Sequence, residues 1–281
     1  LVIDPSGGVT QETAIKRAIS FGQEVRVFDP LGITDVPNEF RCTLNPFSSI
    51  DFNATDYYER LAAIADACIV QSDPKHALWD ESAATIIAGV ADLLISRHHN
   101  EPHKFPPASL PAIKSELSSR HVFEASTNED DPTWGMSLID LLSEYPTRTG
   151  LAPDAAATLS EKEGGAFRRT ASRNLRWLES DLYRSALADS TFDLADIGKK
   201  PMTFYLVIPG HHLKIHANFL KLFVRLALFE MEAKGEGGRQ CLYVLDEFHS
   251  LGRLDAISEG IGRLRNYGVK IWPIRQNWNQ L

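Results

Sequence analysis

Two adjacent carboxylates, Asp246 and Glu247, end a short apolar run that begins at Cys241. The run is too short for a helix, lacks polar alternation and is rich in Leu, Val and Tyr, which predicts a strand buried on both faces of a sheet. Ligands of open α/β sheets bind just beyond the carboxyl ends of the strands, where this pair falls. There an Asp can hold Mg²⁺ directly or through water, and the next carboxylate can polarise an attacking water. The pair therefore indicates a candidate nucleoside-triphosphate site; the alternative is an acidic turn without chemistry.

A second apolar segment, Val269 to Ile274, precedes Gln276. Between the two strands, residues Leu254 to Leu264 carry apolar side chains at helical spacing, and Gly268 is the expected end of that helical part. A strand–helix–strand unit makes a right-handed crossover, so the two strands are expected to be parallel neighbours. Gln276 should then lie at the same sheet edge as the carboxylates, where a neutral amide can contact a γ-phosphate or position water.

The rest of the chain predicts an α/β fold that is interrupted by helices. Three more strands are expected, at Leu1 to Asp4, Val25 to Phe28 and Met202 to Ile208. From about residue 74, helical patterns follow one another without a clear strand until Met202. The sequence therefore predicts a mostly parallel sheet domain formed by residues 1–73 and 191–281, with an all-α domain inserted at residues 74–190.

Composition and charge limit the possible functions. The 281 residues are 43% hydrophobic and 23% charged, as expected for a protein with a buried core, and the formal net charge is -8. This acidity argues against a general nucleic-acid coat, so any nucleic-acid contact must be local. No uninterrupted run of about 18 apolar residues predicts a membrane span. The three widely spaced cysteines fit neither a disulfide framework nor a zinc site and suggest a reducing compartment.

Four arginines gather on a helix predicted over Ala155 to Ala188, which is expected to bend or break at Gly164 and Gly165. These arginines are Arg168, Arg169, Arg173 and Arg176. They could contact DNA phosphates. The favoured alternative is a solvated helix face on which they pair with nearby carboxylates, namely those of Glu161, Glu163 and Glu179.

The motifs resemble those of a known family. The segment Leu242 to Leu281 carries Asp-Glu-Phe, Leu-Gly, Arg-x-x-Gly and Gln-x-x-x-Gln-Leu in that order, and it resembles the carboxyl-terminal motor motifs of the type IV coupling proteins (TraG/TraD family) of conjugation and type IV secretion. Leu1 to Pro5 resembles the strand and turn that these proteins carry after the P-loop helix, and Val25 to Pro30 resembles their next strand. Phe204 to Pro209 adds a further likeness. The resemblance covers nearly the whole chain, although residues 98–150 match only in general character.

This resemblance implies a RecA-like P-loop NTPase core that uses ATP and Mg²⁺. Asp246 would hold the ion, Glu247 would activate water and Gln276 would sense the γ-phosphate, so that all three surround the nucleotide. Arg265 would be an arginine finger that reaches a neighbouring subunit's nucleotide. Its structural alternative is a basic residue at a helix carboxyl terminus, and Arg263 is a rival for the same role.

The resemblance also implies partners and a location. The intact protein would be a homo-hexamer on the cytoplasmic side of the bacterial inner membrane. It would use ATP hydrolysis to move single-stranded DNA with its relaxosome, effector proteins, or both, toward the components of a type IV secretion channel. The helical insertion would receive this cargo.

The sequence departs from the family pattern at two places. The P-loop, Gly-x-x-x-x-Gly-Lys-Ser/Thr, is absent, since Gly198-Lys199 is followed by Lys200 and lacks the earlier Gly. We therefore expect a fragment that begins after the P-loop, lacks the membrane anchor and does not hydrolyse ATP alone. Ser6 stands where the family commonly has Lys. Two other classes stay open: an FtsK/HerA-like DNA translocase, and a non-enzymatic module that docks substrates.

Overall fold

A computed structural model describes residues 1–70, 74–118, 136–209, 213–235, 239–246 and 264–274. Two compact units are present. One combines Leu1–Ser49 with the residues from Ser180 onward, and the other is Ile50–Glu179. We refer to them as the sheet unit and the helical unit.

The sheet unit contains one parallel sheet. In the described part of the chain its strands are β1 (Val2–Asp4), β2 (Glu24–Phe28), β3 (Met202–Val207), β4 (Cys241–Leu245) and β5 (Val269–Pro273). The spatial order is β2-β3-β1-β4-β5, and every neighbouring pair is parallel. The predicted parallel pairing of the strands that precede Asp246 and Gln276 is confirmed. The helix predicted between these two strands, Leu254 to Leu264, lies outside the described residues except for Leu264.

Helices cover both faces of the centre of the sheet, which is why β3 can be an almost continuous apolar run. These helices are α1 (Gly8–Phe21) and α9 (Leu213–Ala233), while the short α8 (Asp181–Ala186) belongs to the same unit. On one face, Phe204 stacks on Phe223 of α9 with ring centroids 5.0 Å apart. On the other, Tyr205 Oη lies 2.7 Å from Thr13 Oγ1 of α1, above a small core that includes Ala14.

The helical unit is built around one long buried helix. Its helices are α2 (Tyr57–Cys68), α3 (Ala77–Asn100), α4 (Leu110–Ser118), α5 (Leu138–Glu144), α6 (Leu151–Ser160) and α7 (Gly164–Asn174). Thirteen residues of α3 are buried, Gly89 among them. A Cβ atom at Gly89 would lie 2.3 Å from Ala155 Cβ and 2.5 Å from the Leu151 carbonyl oxygen. Close approach of α3 and α6 therefore depends on the missing side chain.

The helix predicted over Ala155 to Ala188 is broken, as expected near Gly164. α6 ends at Ser160, α7 starts at Gly164, and a 3-10 turn follows at Arg176–Glu179. A Cβ atom at Gly164 would lie 2.0 Å from the Leu159 carbonyl oxygen. Glycine thus permits the tight reversal between the two helices.

The boundaries between the two compact units, at residues 49/50 and 179/180, differ from the domain boundaries predicted from the sequence. The predicted boundary at 73/74 groups α2 with the sheet, and the boundary at 190/191 groups α8 with the helices. In the structure α2 packs within the helical unit, where Tyr57 Oη donates to Asp92 Oδ1 of α3 at 2.8 Å. The division into a nucleotide-binding domain of residues 1–73 and 191–281 and an inserted all-α domain of residues 74–190 stays a prediction. No helix among the described residues is long and apolar enough to cross a membrane.

Candidate functional site

The carboxyl ends of β1 and β4 lie side by side. Ile3 is paired in register with Leu245, and the Asp246 backbone N–H donates to the Ile3 carbonyl oxygen at 3.3 Å. Asp246 is therefore held at the sheet edge directly beside Asp4, and it is half-buried. Asp246 follows the carboxyl end of β4, as predicted, and this is the side of a parallel sheet at which ligands usually bind.

β5 brings the next strand end to the same edge. Its last residue, Pro273, is in register with Leu245, and the Ile274 N–H donates to the Leu245 carbonyl oxygen at 2.9 Å. Ile274 thus neighbours Asp246, and Gln276 follows two residues later in the sequence. Glu247 and Gln276 themselves lie outside the described residues, so their meeting with Asp246 stays a prediction.

Arg265 lies at the opposite side of the sheet from Asp246, near the amino ends of β4 and β5. It begins a 3-10 turn, Arg265–Tyr267, that ends at Gly268 with φ 76°, and β5 starts directly afterwards. The Cys241 N–H donates to the Gly268 carbonyl oxygen at 2.9 Å, which sets this turn beside the start of β4. Arg265 is exposed and lies near the start of β4, whereas Asp246 follows its end. At about 3.3 Å per residue, the five residues of β4 separate the two by about 16 Å. The structure does not bring these two side chains together within one chain.

Asp4 is a buried carboxylate that our sequence reasoning did not single out. Its Oδ2 accepts the backbone N–H and the hydroxyl of Thr10, both at 2.7 Å. Its Oδ1 accepts the hydroxyl of Ser6 at 3.0 Å, and Ser6 Oγ accepts the Gly8 N–H at 3.1 Å. Asp4 thus organises the turn that leads into α1 and is occupied by internal donors. The signal in the sequence was an Asp directly before a Pro at a strand end.

The turn also explains residue 6. Gly7 adopts φ 72°, and a Cβ atom there would lie 2.8 Å from Thr34 Cγ2. Ser6 is the short polar residue that links Asp4 to the first amide of α1 across this tight loop. At this position the structure shows a turn-forming hydroxyl in place of the lysine expected from the family pattern.

The four predicted arginines line one groove in the helical unit, between α4 and α7. We call it the cationic groove; its volume is about 890 Å³, and it is lined by Lys114, Leu117, Ser118, Gly165, Arg168, Arg169, Ser172, Arg173, Arg176 and Glu179. Arg169, Arg173 and Arg176 are exposed. Arg168 instead joins the two helices, because its Nε donates to the Leu117 carbonyl oxygen at 3.0 Å.

The expected pairing of these arginines with Glu161, Glu163 and Glu179 is not observed within the described ranges. Glu179 pairs with Lys114, whose Nζ lies 3.2 Å from Glu179 Oε1. The same ammonium donates to Ser172 Oγ at 2.8 Å and to the Ser172 carbonyl oxygen at 3.1 Å. Lys114 therefore pairs with the carboxylate of Glu179, which the sequence had assigned to the arginines.

Glu116 of α4 is half-buried and directly precedes Leu117 of the groove lining. Burial raises the pKa of Glu116 to about 7, while the charges of Arg97 and Arg168 act in the opposite direction. The Glu116 carbonyl oxygen also accepts from Arg168 Nη2 at 3.4 Å. This carboxyl group can therefore change its charge near neutral pH, next to the residue that joins α4 to α7.

Comparison with known proteins gives a match over the full chain. Residues 1–281 match the family described as type IV secretory system conjugative DNA transfer. The conjugal transfer protein TraG of Escherichia coli is 24% identical over 216 residues, which are 72% of this chain and 33% of that protein. The type IV secretion system-coupling protein VirD4 of Bartonella quintana is 27% identical over 113 residues, 40% of this chain and 18% of that protein. The chain thus spans a third or less of these curated relatives.

Solved structures share the fold. The bacterial conjugative coupling protein TrwB in its unbound monoclinic form superposes with a TM-score of 0.61 at 12% identity, over 96% of this chain and 54% of that chain. TrwB in complex with ADP and Mg²⁺ gives a TM-score of 0.58 at 11% identity, over 97% of this chain and 62% of that chain. The predicted fold class, a RecA-like core with an all-α domain inserted, is confirmed by this similarity.

Proposed function

The chain belongs to the type IV secretory system conjugative DNA transfer family, and from this premise we propose that it is part of a coupling ATPase of conjugation or type IV secretion. In the intact protein, ATP hydrolysis would drive recruitment and movement of DNA, protein substrates, or both. The relatives TraG and VirD4 are named for conjugal transfer and for coupling to type IV secretion, and TrwB has been solved with ADP and Mg²⁺. The chain spans a third or less of the length of TraG and VirD4.

The convergence of the β1, β4 and β5 ends is the observation that carries this proposal. It supports a site in which Asp246 holds Mg²⁺, Glu247 polarises the attacking water and Gln276 senses the γ-phosphate. The residues fit this ion, since Mg²⁺ is usually held by one or two carboxylates together with substrate phosphates. Asp246 is half-buried at this edge, and the neighbouring Asp4 carboxylate accepts hydrogen bonds from Thr10 and Ser6. When bound, the ion would neutralise charge on the phosphates during phosphoryl transfer.

Arg265 supports the view that the site is shared between subunits. Its place at the opposite edge from Asp246 suits a residue that serves a neighbouring subunit and does not suit one that serves its own nucleotide. We therefore propose a homo-hexamer in which Arg265 completes the next subunit's site. The ring would stand at the cytoplasmic side of the bacterial inner membrane, with single-stranded DNA and its relaxosome, effector proteins and channel components as partners.

The chain by itself should be inactive. The sequence has no Gly-x-x-x-x-Gly-Lys-Ser/Thr loop, and backbone amides of such a loop are what hold the phosphates. We expect no ATP turnover from purified residues 1–281. Turnover by that chain would contradict the proposed division of labour.

The test is Asp246→Asn in the full-length protein that carries this chain, with Asp35→Asn as a matched control at an exposed carboxylate. Loss of the metal ligand should remove about 3 kcal/mol of transition-state stabilisation, which lowers ATP turnover and DNA transfer on the order of 100-fold. Asp35→Asn should change neither. Wild-type turnover and transfer in Asp246→Asn would overturn the ATPase site. Lost turnover with normal transfer would favour the non-enzymatic docking module. The family match separately favours a coupling role over an FtsK/HerA-like translocase.

A further inference from the structure

Two strands of the sheet unit, β1 and β2, lead into turns of the same chemistry, each built on an Asp-Pro pair. In the first turn, Asp4 Oδ2 accepts the backbone N–H and the hydroxyl of Thr10, both at 2.7 Å. In the second, Asp29 Oδ2 accepts the backbone N–H of Thr34 at 2.9 Å and its hydroxyl at 2.7 Å. Both carboxylates are fully buried. The two turns therefore form a matched pair within one sheet.

The two carboxylates differ in their distance from Asp246. In the strand order β2-β3-β1-β4-β5, Asp4 ends the strand next to β4, whereas Asp29 follows a strand three places away from β4. At the usual spacing of neighbouring strands, these separations are about 5 Å and about 14 Å. Asp29 also pairs with Arg41, whose Nη1 lies 3.4 Å from its Oδ2. Only Asp4 of this pair stands beside the candidate ion site.

One backbone hydrogen bond connects Asp4 to Asp246. The Asp246 N–H donates to the Ile3 carbonyl oxygen at 3.3 Å, and that carbonyl belongs to the peptide that joins Ile3 to Asp4. The side-chain bonds of Asp4 to α1 fix the orientation of this peptide and so support the backbone of Asp246. A buried carboxylate one strand away also adds negative charge close to any cation that Asp246 holds, where low dielectric strengthens the interaction.

The Asp4 carboxylate itself is engaged by the turn. Its Oδ1 accepts the hydroxyl of Ser6 at 3.0 Å and the Ser6 N–H at 3.3 Å, and its Oδ2 accepts the two donors of Thr10. A carboxylate offers about four lone-pair positions, and these four donors use them. Asp4 is therefore suited to act on an ion through Asp246 and is not suited to bind the ion directly.

We propose that Asp4 is a positioning residue for the Mg²⁺ site at Asp246. Its bonds to Thr10 and Ser6 hold the end of β1 so that Asp246 is presented to the ion, and its charge strengthens the site. This inference rests on the proposed function, in which Asp246 holds Mg²⁺. Asp29 makes the same kind of turn and serves only the fold.

The experiment measures metal affinity in the full-length protein that carries this chain. Mn²⁺ is the probe, because it takes the same oxygen ligands as Mg²⁺ and free Mn²⁺ is counted by electron paramagnetic resonance. Titrations in the presence of ADP compare the wild type with Asp4→Asn and with the matched control Asp29→Asn. Partners that orient metal ligands typically contribute 10–100-fold in affinity, so Asp4→Asn should weaken Mn²⁺ binding about ten-fold or more and Asp29→Asn by less than about two-fold.

A milder pair of variants covers the case in which an Asn variant does not fold, which circular dichroism melting detects. Thr10→Val and Thr34→Val each remove one hydroxyl that donates at 2.7 Å and keep the carboxylate. Thr10→Val should weaken Mn²⁺ binding by about three-fold, below the usual range for a lost carboxylate partner, and Thr34→Val should leave it unchanged.

Turnover provides a second readout that a purely structural role would not change. Raising the Mg²⁺ concentration should restore most of the ATP turnover of Asp4→Asn, because the site is weakened and its ligand is still present. The same increase should not restore Asp246→Asn. The proposal is overturned if Asp4→Asn binds Mn²⁺ like the wild type, or if Asp29→Asn loses as much affinity, which would indicate a general loosening of the sheet unit.

Failure of this inference and failure of the proposed function give different results. Weak Mn²⁺ binding and lost turnover in Asp246→Asn, together with wild-type Mn²⁺ binding in Asp4→Asn, would reject only the positioning role. Weakened Mn²⁺ binding in Asp4→Asn, together with wild-type turnover and transfer in Asp246→Asn, would support the ion site and reject only the motor.

Discussion

Gly89→Ala is the perturbation that tests the packing of the helical unit most directly. The new methyl group would lie 2.3 Å from Ala155 Cβ, 2.5 Å from the Leu151 carbonyl oxygen and 3.2 Å from Ala152 Cα. Two of these atoms are backbone atoms of α6, so no side chain can rotate away to make room. α3 and α6 must separate, and the contacts on either side of Gly89 must loosen.

The magnitude follows from two opposing effects. Overpacking a tight core costs about 1–3 kcal/mol, and a clash against backbone belongs at or above the upper end of this range. Replacing a helical glycine by alanine gains about 1 kcal/mol through the unfolded chain and helix propensity. The net expectation is a loss of about 2 kcal/mol in the free energy of unfolding. Gly165→Ala in α7 is the matched control, because the nearest atom to its new methyl group is Arg169 Nη1 at 3.8 Å.

Urea denaturation followed by circular dichroism gives the free energy of unfolding for each variant. Hydrogen exchange of peptides from α3 and α6 locates the change, and we expect faster exchange there and no change in β3. Gly165→Ala should be neutral or more stable by up to about 1 kcal/mol. The reasoning is refuted if Gly89→Ala is as stable as the wild type, or if both glycine variants lose stability equally.

Two further predictions concern buried carboxyl groups of the helical unit. Burial raises the pKa of Glu116 from 4.5 to about 7, so Glu116 contributes stability that is present below about pH 4.5 and is lost as the pH rises through 7, by up to about 3 kcal/mol. Glu116→Gln should reduce the difference between the free energies of unfolding measured at about pH 5 and at about pH 8. An unchanged difference would show that other groups cause it. Asp92 accepts hydroxyl hydrogens from Tyr57 at 2.8 Å and from Thr149 at 2.6 Å, so Asp92→Ala should lower the free energy of unfolding by about 3 kcal/mol or more and Tyr57→Phe by about 1–2. Equal losses in these two variants would show that the carboxylate is not the centre of the network.

The local periodicity of the sequence was enough to predict the strands and their parallel pairing. The run before Asp246 and the segment Val269 to Ile274 are neighbours because a right-handed crossover leaves few other arrangements. That rule fixes which edge of the sheet the strand ends share, and Asp246 lies there. The positions of Glu247 and Gln276 lie outside the described residues, so the nucleotide site as a whole stays a prediction.

Other features depend on contacts between distant residues, which periodicity does not report. The attachment of α2 to the helical unit follows from the bond between Tyr57 and Asp92, and Asp4 is important because Thr10 and Ser6 return to it. The sequence also favoured pairing of the α7 arginines with Glu161, Glu163 and Glu179, whereas in the structure Glu179 pairs with Lys114. Carboxylates that are near the arginines in the sequence need not pair with them, because Lys114 of another helix, α4, lies close enough to pair with Glu179.

The position of β3 between β2 and β1 has a consequence for how the chain is made. β2 pairs with β3 through residues 24–28 and 202–206, and within the described strands it has no other neighbour. At about 5–20 residues per second, synthesis from residue 28 to residue 202 takes on the order of 10–35 s. During that interval β1 and β2 lack their shared neighbour β3, whereas all residues of the helical unit, Ile50–Glu179, are synthesised before residue 202. Nascent chains stalled before residue 202 should therefore bind chaperones through β1 and β2, and release them once β3 has emerged.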